Sequence, residues 1–398
     1  MRLERAADEW TNDLDALLDR IGPRFGRAEP RQRARVFVRG VLSGLRRKNG
    51  WTLAHFAGDD DPNGMQRLLN AARWDVDGVR DDVRQWVVEH LGDRPRGVLV
   101  AHESAFPKKG SRSVGVHRQY SERTARVENV QIGAFLTYVG PRGAALVDRY
   151  LYLPESWLAD ETRARLAGIP AGTPFATRPE VVRLMVERAL QAQVPARWVA
   201  ADDAYGDARA LRTWLDERDV PYVLATTRED RVATASGHVA EVHDLAATLP
   251  RGAWERRSAA GRIQEWARIP LAGFGTTNGH RFERCLLLRR TPGEREQLTY
   301  YRCRVPAGTQ LAELIRVARA PVAADECLNR ARRALGLGQY QVRRYDAWYR
   351  HVTLCMVAGA HLAAWSAVES AGTMTGTAAA LSPPASRYRT VSVRGRAV

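Results

Sequence analysis

Apolar residues in the first part of the chain return every three or four positions, in LDALLDRIG, in RARVFVRGVLSGL and in the run from Val76 to Leu91. That spacing turns one apolar stripe toward a core and predicts an all-helical segment over residues 1–94. Within it, RRKNGWTLAHFAG followed by DDDPNGMQRLLNAARW has the rhythm of a helix-turn-helix, with Arg46, Arg47 and Lys48 at its start; a plain helical bundle accounts for the same pattern. From Gly97 the texture changes to runs rich in Val, Tyr, Phe and Leu: GVLVAH, SVGVHRQY, VQIGAFLTYV and AALVDRYLYL predict four strands joined as hairpins. A helix over 178–193 then leads into the strand RWVAAD, a helix over LRTWLDERD and the strand YVLATT, an alternation that predicts a crossover with parallel pairing. Residues 227–308 mix short strands with Gly and Pro, as in RCLLLRR and LTYYRCRV, and read as a β-rich insertion. Helices return over about 309–334 and 346–369, and residues 371–398, rich in small residues and Arg and free of acids, read as a disordered basic tail.

Composition narrows the setting. At 398 residues and 45% hydrophobic content the chain can bury more than one core. The start, MRLERAADEW, lacks the apolar run of a signal peptide, and the longest apolar stretch, His351 to Trp365, is short for a bilayer, so a cytoplasmic protein without membrane association is expected. Cys285, Cys303, Cys327 and Cys355 show neither CxxC spacing nor a nearby His pair, and read as reduced thiols, mostly in cores. A net charge of +16 makes a polyanion the natural partner and favours nucleic acid. Of 61 basic residues only Lys48, Lys108 and Lys109 are lysines, a bias that suggests GC-rich coding and leaves the charge unaffected.

Antiparallel strands followed by a crossover, with an acid ending the first strand, another ending the strand after the crossover and a third on a late helix, describe an RNase H-like nuclease. Carboxylates from separate elements there converge to hold two divalent metals for phosphoryl transfer. The particular segments VLVAHESAFPKKGSRSVGVHRQYS, VENVQIGAFLTYVGPRGAALVDRYLYLPESW, FATRPE, WVAADDAYGD and DECLNRARRALGLGQYQVRRYDAWYRHVTL resemble, in the same order, the landmarks of the insertion-sequence 701 transposase family, relatives of the insertion-sequence 4 group. The resemblance runs from roughly Gly50 to Trp365. It implies an α/β fold of the DDE superfamily: a helical DNA-binding-type domain over 1–94, an RNase H-like mixed-sheet core over 95–226 and 309–370, and a β-rich insertion between. It also implies DNA recombination: cleavage and strand transfer at transposon ends with Mg²⁺, or with Mn²⁺ in its place. Double-stranded DNA is the implied partner, with room for a homodimer on it.

Carried over position by position, the resemblance puts His102, Glu103 and Ser104 where the family has an Asp-Glu-Thr triplet whose Asp binds metal. Asp202, at the end of its strand before Asp203, keeps the second position. The third landmark, an Arg, a Glu and a Lys in the wider group, falls on Pro321, Asp325 and Arg332. The catalytic set expected is therefore Asp202 and Asp325 as metal ligands, with His102 as a substituted position. Imidazole offers one nitrogen where bridging two hard Mg²⁺ ions needs a carboxylate. Asp325 is one methylene short of Glu, a shift of about an ångström that costs catalytic sites roughly 100-fold. Pro321, read as standing just before a helix, cannot clamp a phosphate, whereas Arg332 keeps a cation. Neither neighbour rescues the site: Glu103 faces the other side of its strand, and Glu326 lies about 100° around its helix. The expected function is a transposase-like DNA-binding protein, inactive or severely weakened as a nuclease. The alternatives are an active transposase with a rearranged or non-Mg²⁺ site, in which His102, Asp202 and Asp325 hold Mn²⁺, Zn²⁺ or Fe²⁺, and a decayed product that merely folds. DNA contact is expected from Lys108, Lys109 and Arg112 in the turn after the first strand and from Arg330, Arg332, Arg333, Arg343 and Arg344 around Asp325. Trp254, Trp266, Trp348, Tyr349 and Trp365 are read as core rather than base-stacking residues.

Overall fold

The computed structural model describes residues 2–121, 126–201, 205, 209–259, 262–273, 275–277, 280–292 and 297–373. Helices α1 (Arg2–Ile21), α2 (Ala28–Leu42), α3 (Gly50–Ala57), α4 (Asn63–Asn70) and α5 (Val76–Leu91) open the chain. Their starts follow from local capping chemistry. The Asn49 side chain accepts hydrogen bonds from the backbone N–H groups of Trp51 and Thr52, and Thr52 Oγ1 accepts one from Asn49 N. Asn49-Gly50 therefore opens a helix, and the α3–α4 turn spans 58–62, with Gly58 at φ 80° ending α3.

Strands β1 (Val98–Pro107), β2 (His117–Ser121), β3 (Arg126–Gly140) and β4 (Gly143–Leu151) come next. They are not the simple run of hairpins expected. β3 is long enough to pair with β1 along one edge and with β2 and then β4 along the other. Helices α6 (Glu155–Leu158), α7 (Glu161–Ala167) and α8 (Arg178–Gln191) lead to β5 (Trp198–Ala201), α9 (Arg209–Glu217) and β6 (Tyr222–Thr226). As the strand-helix-strand rhythm predicts, β5 pairs parallel with both β1 and β6. After β7 (Arg231–Ala233), β8 (Val239–Glu241) and α10 (Val242–Ala247) come β9 (Glu255–Ala259), β10 (Arg262–Pro270), β11 (Gly275–Thr277), β12 (His280–Thr291) and β13 (Gln297–Pro306). Among the described residues eleven strands form one sheet in the order β2-β3-β1-β5-β6-β13-β12-β10-β9, with β4 on β3 and β11 on β12. The β-rich stretch thus extends the central sheet through antiparallel pairing of β13 with β6.

Alternation along the central strands sorts their side chains onto two faces. Val98, Val100, Trp198, Ala200, Val223 and Ala225 share a core with α11 (Leu311–Ala334), through Leu314, Val317, Ala318 and Ala324. Leu99, Ala101, Val199, Ala201, Tyr222 and Leu224 face α8 and α9, in a cluster that also takes in the helices before β1 and α12 (Tyr345–Thr373). The stretch 345–370 of α12 is longer than the apolar run suggests and would suffice by length and composition to cross a membrane, but 72% of its most apolar window is buried inside the protein. From Val352 to Ala358 every residue is buried, the pattern of a helix apolar all round inside a large core. His361 Nδ1 lies 3.0 Å from Asp13 Oδ2 and packs its ring against Trp10, tying α1 to this helix. The four cysteines are free, with Cys285, Cys303 and Cys355 buried. Trp266 and Trp348 are core residues, as expected.

Candidate active site and basic cleft

His102 sits on β1 opposite Phe135 of β3, on the face covered by α11. Its ring is buried, and Nε2 lies 2.7 Å from Thr137 Oγ1 while Nδ1 lies 3.4 Å from Asp325 Oδ1. The structure thus brings two of the three expected site residues together across 223 positions of sequence. They differ in setting: the His102 side chain is 3% exposed and that of Asp325 64%. Asp202 and Asp203 lie outside the described residues; their strand is followed to Ala201, which pairs with Ala101, the residue before His102. Glu103 projects to the opposite face, where Arg178 of α8 approaches to 3.5 Å and burial pushes its carboxyl up. Ser104, on the His102 face, is buried, and its hydroxyl has no hydrogen-bond partner among the described residues.

Pro321, Asp325 and Arg332 share one side of α11, since steps of four and seven residues return within about 40° on a 3.6-residue helix. Pro321 is not at a helix start, as its residue type suggested. It lies inside α11, ten residues past Leu311, where the missing N–H leaves the Val317 carbonyl without its usual partner. Packing of Val317, Ala318, Ala320 and Ala324 against the sheet holds the helix together around it. Arg332 stands over the Phe106 ring at 5.8 Å, and Arg332 and Arg333 lie in the last turn, where the helix dipole favours cations.

As donors, these residues do not suit a pair of hard divalent ions. His102 has both ring nitrogens engaged by protein oxygens, and Asp325 supplies one carboxylate on an exposed face. Among the described residues the His, Asp and Glu side chains whose ligand atoms converge are instead Glu241, His243 and Asp244, within 4.8 Å of one another at the surface. The run Glu-Val-His-Asp in the sequence signals that trio. There, however, His243 Nδ1 already lies 3.1 Å from Arg228 O and 3.3 Å from Glu241, and Nε2 3.2 Å from Asp244, so both ring nitrogens have protein oxygens beside them.

The basic residues separate into two groups. Arg330, Arg332 and Arg333 remain on α11, whereas Arg343 and Arg344 join Lys108, Lys109 and Arg112 around a cleft of 1180 Å³ between the α3–α4 pair and the β1–β2 connection. Backbone bonding makes the junction: Val114 N donates to Arg343 O at 2.9 Å, and Lys48 N donates to Gln339 Oε1 at 2.6 Å. The Lys108 ammonium lies 3.5 Å from the centre of the Tyr340 ring, and burial pulls it down to about 8. Phe106 packs on both Tyr340 and Phe135, and Phe135 on His102, so one aromatic run links the cleft to the His102–Asp325 pair. Sequence reasoning missed Trp51 on this cleft, because an indole's exposure is visible only once the fold is in place.

The family profile described as DDE superfamily endonuclease matches residues 20–272. A curated relative, the probable transposase for insertion sequence element IS701 of Microchaete diplosiphon, is 25% identical over 267 residues, which is 66% of this chain and 60% of that protein. The chain thus spans less than two thirds of that relative's length. Among solved structures, the NurA nuclease from Sulfolobus solfataricus aligns with 61% of this chain and 80% of its own at 9% identity and a TM-score of 0.25, too low to bear on the fold. With a mixed sheet of the RNase H-like kind between helices and a profile match across most of its length, the chain belongs to the DDE superfamily of endonucleases.

Proposed function

We propose that this chain is a transposase-type protein that binds double-stranded DNA in the cytoplasm, as a homodimer, and whose nuclease chemistry is lost or severely weakened at His102. One observation carries the reading: both nitrogens of the His102 ring are taken up by Thr137 and Asp325, so the residue at the first metal position neither brings a negative charge nor keeps a free ligand atom. Members of the superfamily use divalent metal ions. Here the first metal position lacks a carboxylate, which leaves Asp202 and Asp325 to balance as much as four positive charges. DNA binding stands on the net charge of +16 and on the basic residues of the cleft and of α11. Residues 1–94 serve as the helical DNA-binding part, 95–226 and 309–370 as the catalytic-type core, and 227–308 as the β-rich insertion.

Nicking of supercoiled plasmid tests this, with Mg²⁺ and separately with Mn²⁺ and with Asp202→Ala as control. The wild type is expected to be silent with Mg²⁺. His102→Asp, then Asp325→Glu and Pro321→Arg added to it, are expected to restore cleavage in steps that need not be additive. Robust wild-type nicking with Mg²⁺ that vanishes in the control overturns the reading; the same result with Mn²⁺ alone establishes a rearranged metal site in its place.

A further inference from the structure

The cleft beside α3 has a composition at odds with the rest of the chain. Arginine supplies nearly all the positive charge, yet all three lysines, Lys48, Lys108 and Lys109, line this one cleft. No Asp or Glu is among its lining residues. Lys48 is structural: its Nζ donates to Ser43 O at 3.0 Å and Leu45 O at 2.7 Å. Lys108 is different. Among the described residues its ammonium has the Tyr340 ring and no carboxylate, although it is half-buried. A cation desolvated without a counter-ion calls for an anion, and a phosphate brought to it releases that cost. Arg343 and Arg112 stand exposed on the same wall.

The opposite wall carries a flat apolar group. Of the described tryptophans Trp51 alone is exposed, at 57%; it stands in the first turn of α3 and lines the cleft, as do the buried Met65 and Leu69. Bases inside a duplex are stacked on one another and present no face to an indole; an unpaired base does. The amide of Gln66 lines the same cleft and can donate and accept at a base edge; that of Asn70 donates to Gln66 O at 2.9 Å and keeps its oxygen to accept.

We propose that this cleft receives an unpaired nucleotide of DNA, its base stacked on Trp51 and its phosphate held between Lys108 and Arg343. The assignment rests on the DNA-binding reading above and adds a substrate feature to it: a single-stranded extension beside the duplex, held apart from the His102–Asp325 pair.

Fluorescence anisotropy tests it with a blunt duplex, the same duplex bearing a short single-stranded tail, and the tail strand alone, with a fluorescent purine analogue in the tail. The tail is expected to tighten binding about tenfold, as one stacked base on an aromatic side chain does. Its fluorescence is expected to be quenched on binding. Trp51→Ala should erase both effects and leave blunt-duplex affinity unchanged; Trp51→Phe should keep most of each. Lys108→Gln should weaken the tailed duplex more than the blunt one. Equal affinity for blunt and tailed duplex, or a tail gain that survives Trp51→Ala, overturns the cleft assignment and leaves duplex binding standing. Trp51-dependent binding of the single strand without binding of the blunt duplex sinks the duplex reading and keeps the cleft. If no probe binds, both fall.

Discussion

Replacing His102 with Asp is expected to destabilise the metal-free protein and to make its stability depend on Mg²⁺. The imidazole bridges Thr137 and Asp325 at 2.7 and 3.4 Å from a nearly solvent-free position. A shorter carboxylate gives up that bridge, each hydrogen bond contributing about 0.5–1.5 kcal/mol net. It also faces Asp325, and two like charges roughly 4 Å apart repel by about 4 kcal/mol at an effective dielectric near 20. Asp325 is 64% exposed, so water screens much of that repulsion. The net loss is expected to be about 1–3 kcal/mol, in the ordinary range for removing one buried polar contact. A cation that binds the variant then restores about 2.7 kcal/mol when present at a hundredfold excess over its dissociation constant. Thermal unfolding in EDTA and across a MgCl₂ titration reads both effects, since in a protein of this size about 1 kcal/mol moves the midpoint by about 2–4 °C. The wild-type midpoint should stay flat, and the variant's should start lower and climb. Adding Asp202→Ala to the variant should flatten the climb. A wild-type midpoint that rises with Mg²⁺ as steeply as the variant's refutes the argument, because His102 would then be no obstacle to the metal.

Duplex affinity should fall linearly with salt on logarithmic axes, with a slope of about −0.9 per neutralised phosphate, and Arg343→Ala or Lys109→Ala should each reduce the slope by about one; a flat response would sink the electrostatic reading. Burial brings Lys108 to about 8, so its ammonium is charged below that pH and lost above it. Its share of DNA affinity should therefore fade as pH rises through about 8, while Lys108→Arg should bind without that dependence because guanidinium stays charged; parallel pH curves for the two proteins would contradict this. Asp148, fully buried, meets Arg188 at 2.8 Å and Arg80 at 3.3 Å, with Arg84 and Arg149 within 4 Å. Asp148→Ala strands buried guanidinium groups and should cost about 3–5 kcal/mol in chemical denaturation; a loss under about 1 kcal/mol would mean that water serves the cluster.

Helices and strands were legible because their signals are local. Three- and four-residue spacing marks α5, and the alternation of Val98 and Val100 against Leu99 and Ala101 marks β1. Pro321 was the instructive miss. Proline favours a helix start, but the buried side chains around it stabilise α11 more than one absent hydrogen bond weakens it. The run of strands predicts a β1–β2 hairpin because consecutive strands usually pair; β3 intervenes, and Lys108 in the connection ends against Tyr340. The apolar run His351 to Trp365 is short for a bilayer because it is the buried middle of a longer core helix, α12.

By itself the sequence determines the residue types this protein has for any reaction: a histidine at 102, aspartates at 202 and 325, sixteen net positive charges, and three lysines in an arginine-rich chain. Those are matters of composition and order, and no fold changes them. Tertiary structure alone decides which of them meet. Strand register sets His102 opposite Phe135 and under α11, so that a residue 223 positions away takes up one of its nitrogens. The pairing of β13 with β6 makes one sheet of segments that sequence reading separates. Packing of residues 48–51 and 338–344 around the β1–β2 connection gathers the lysines and Trp51 on one cleft. Such contacts depend on pairing between distant segments, whose net energy comes from burying both partners together, and no window of neighbouring residues carries that information.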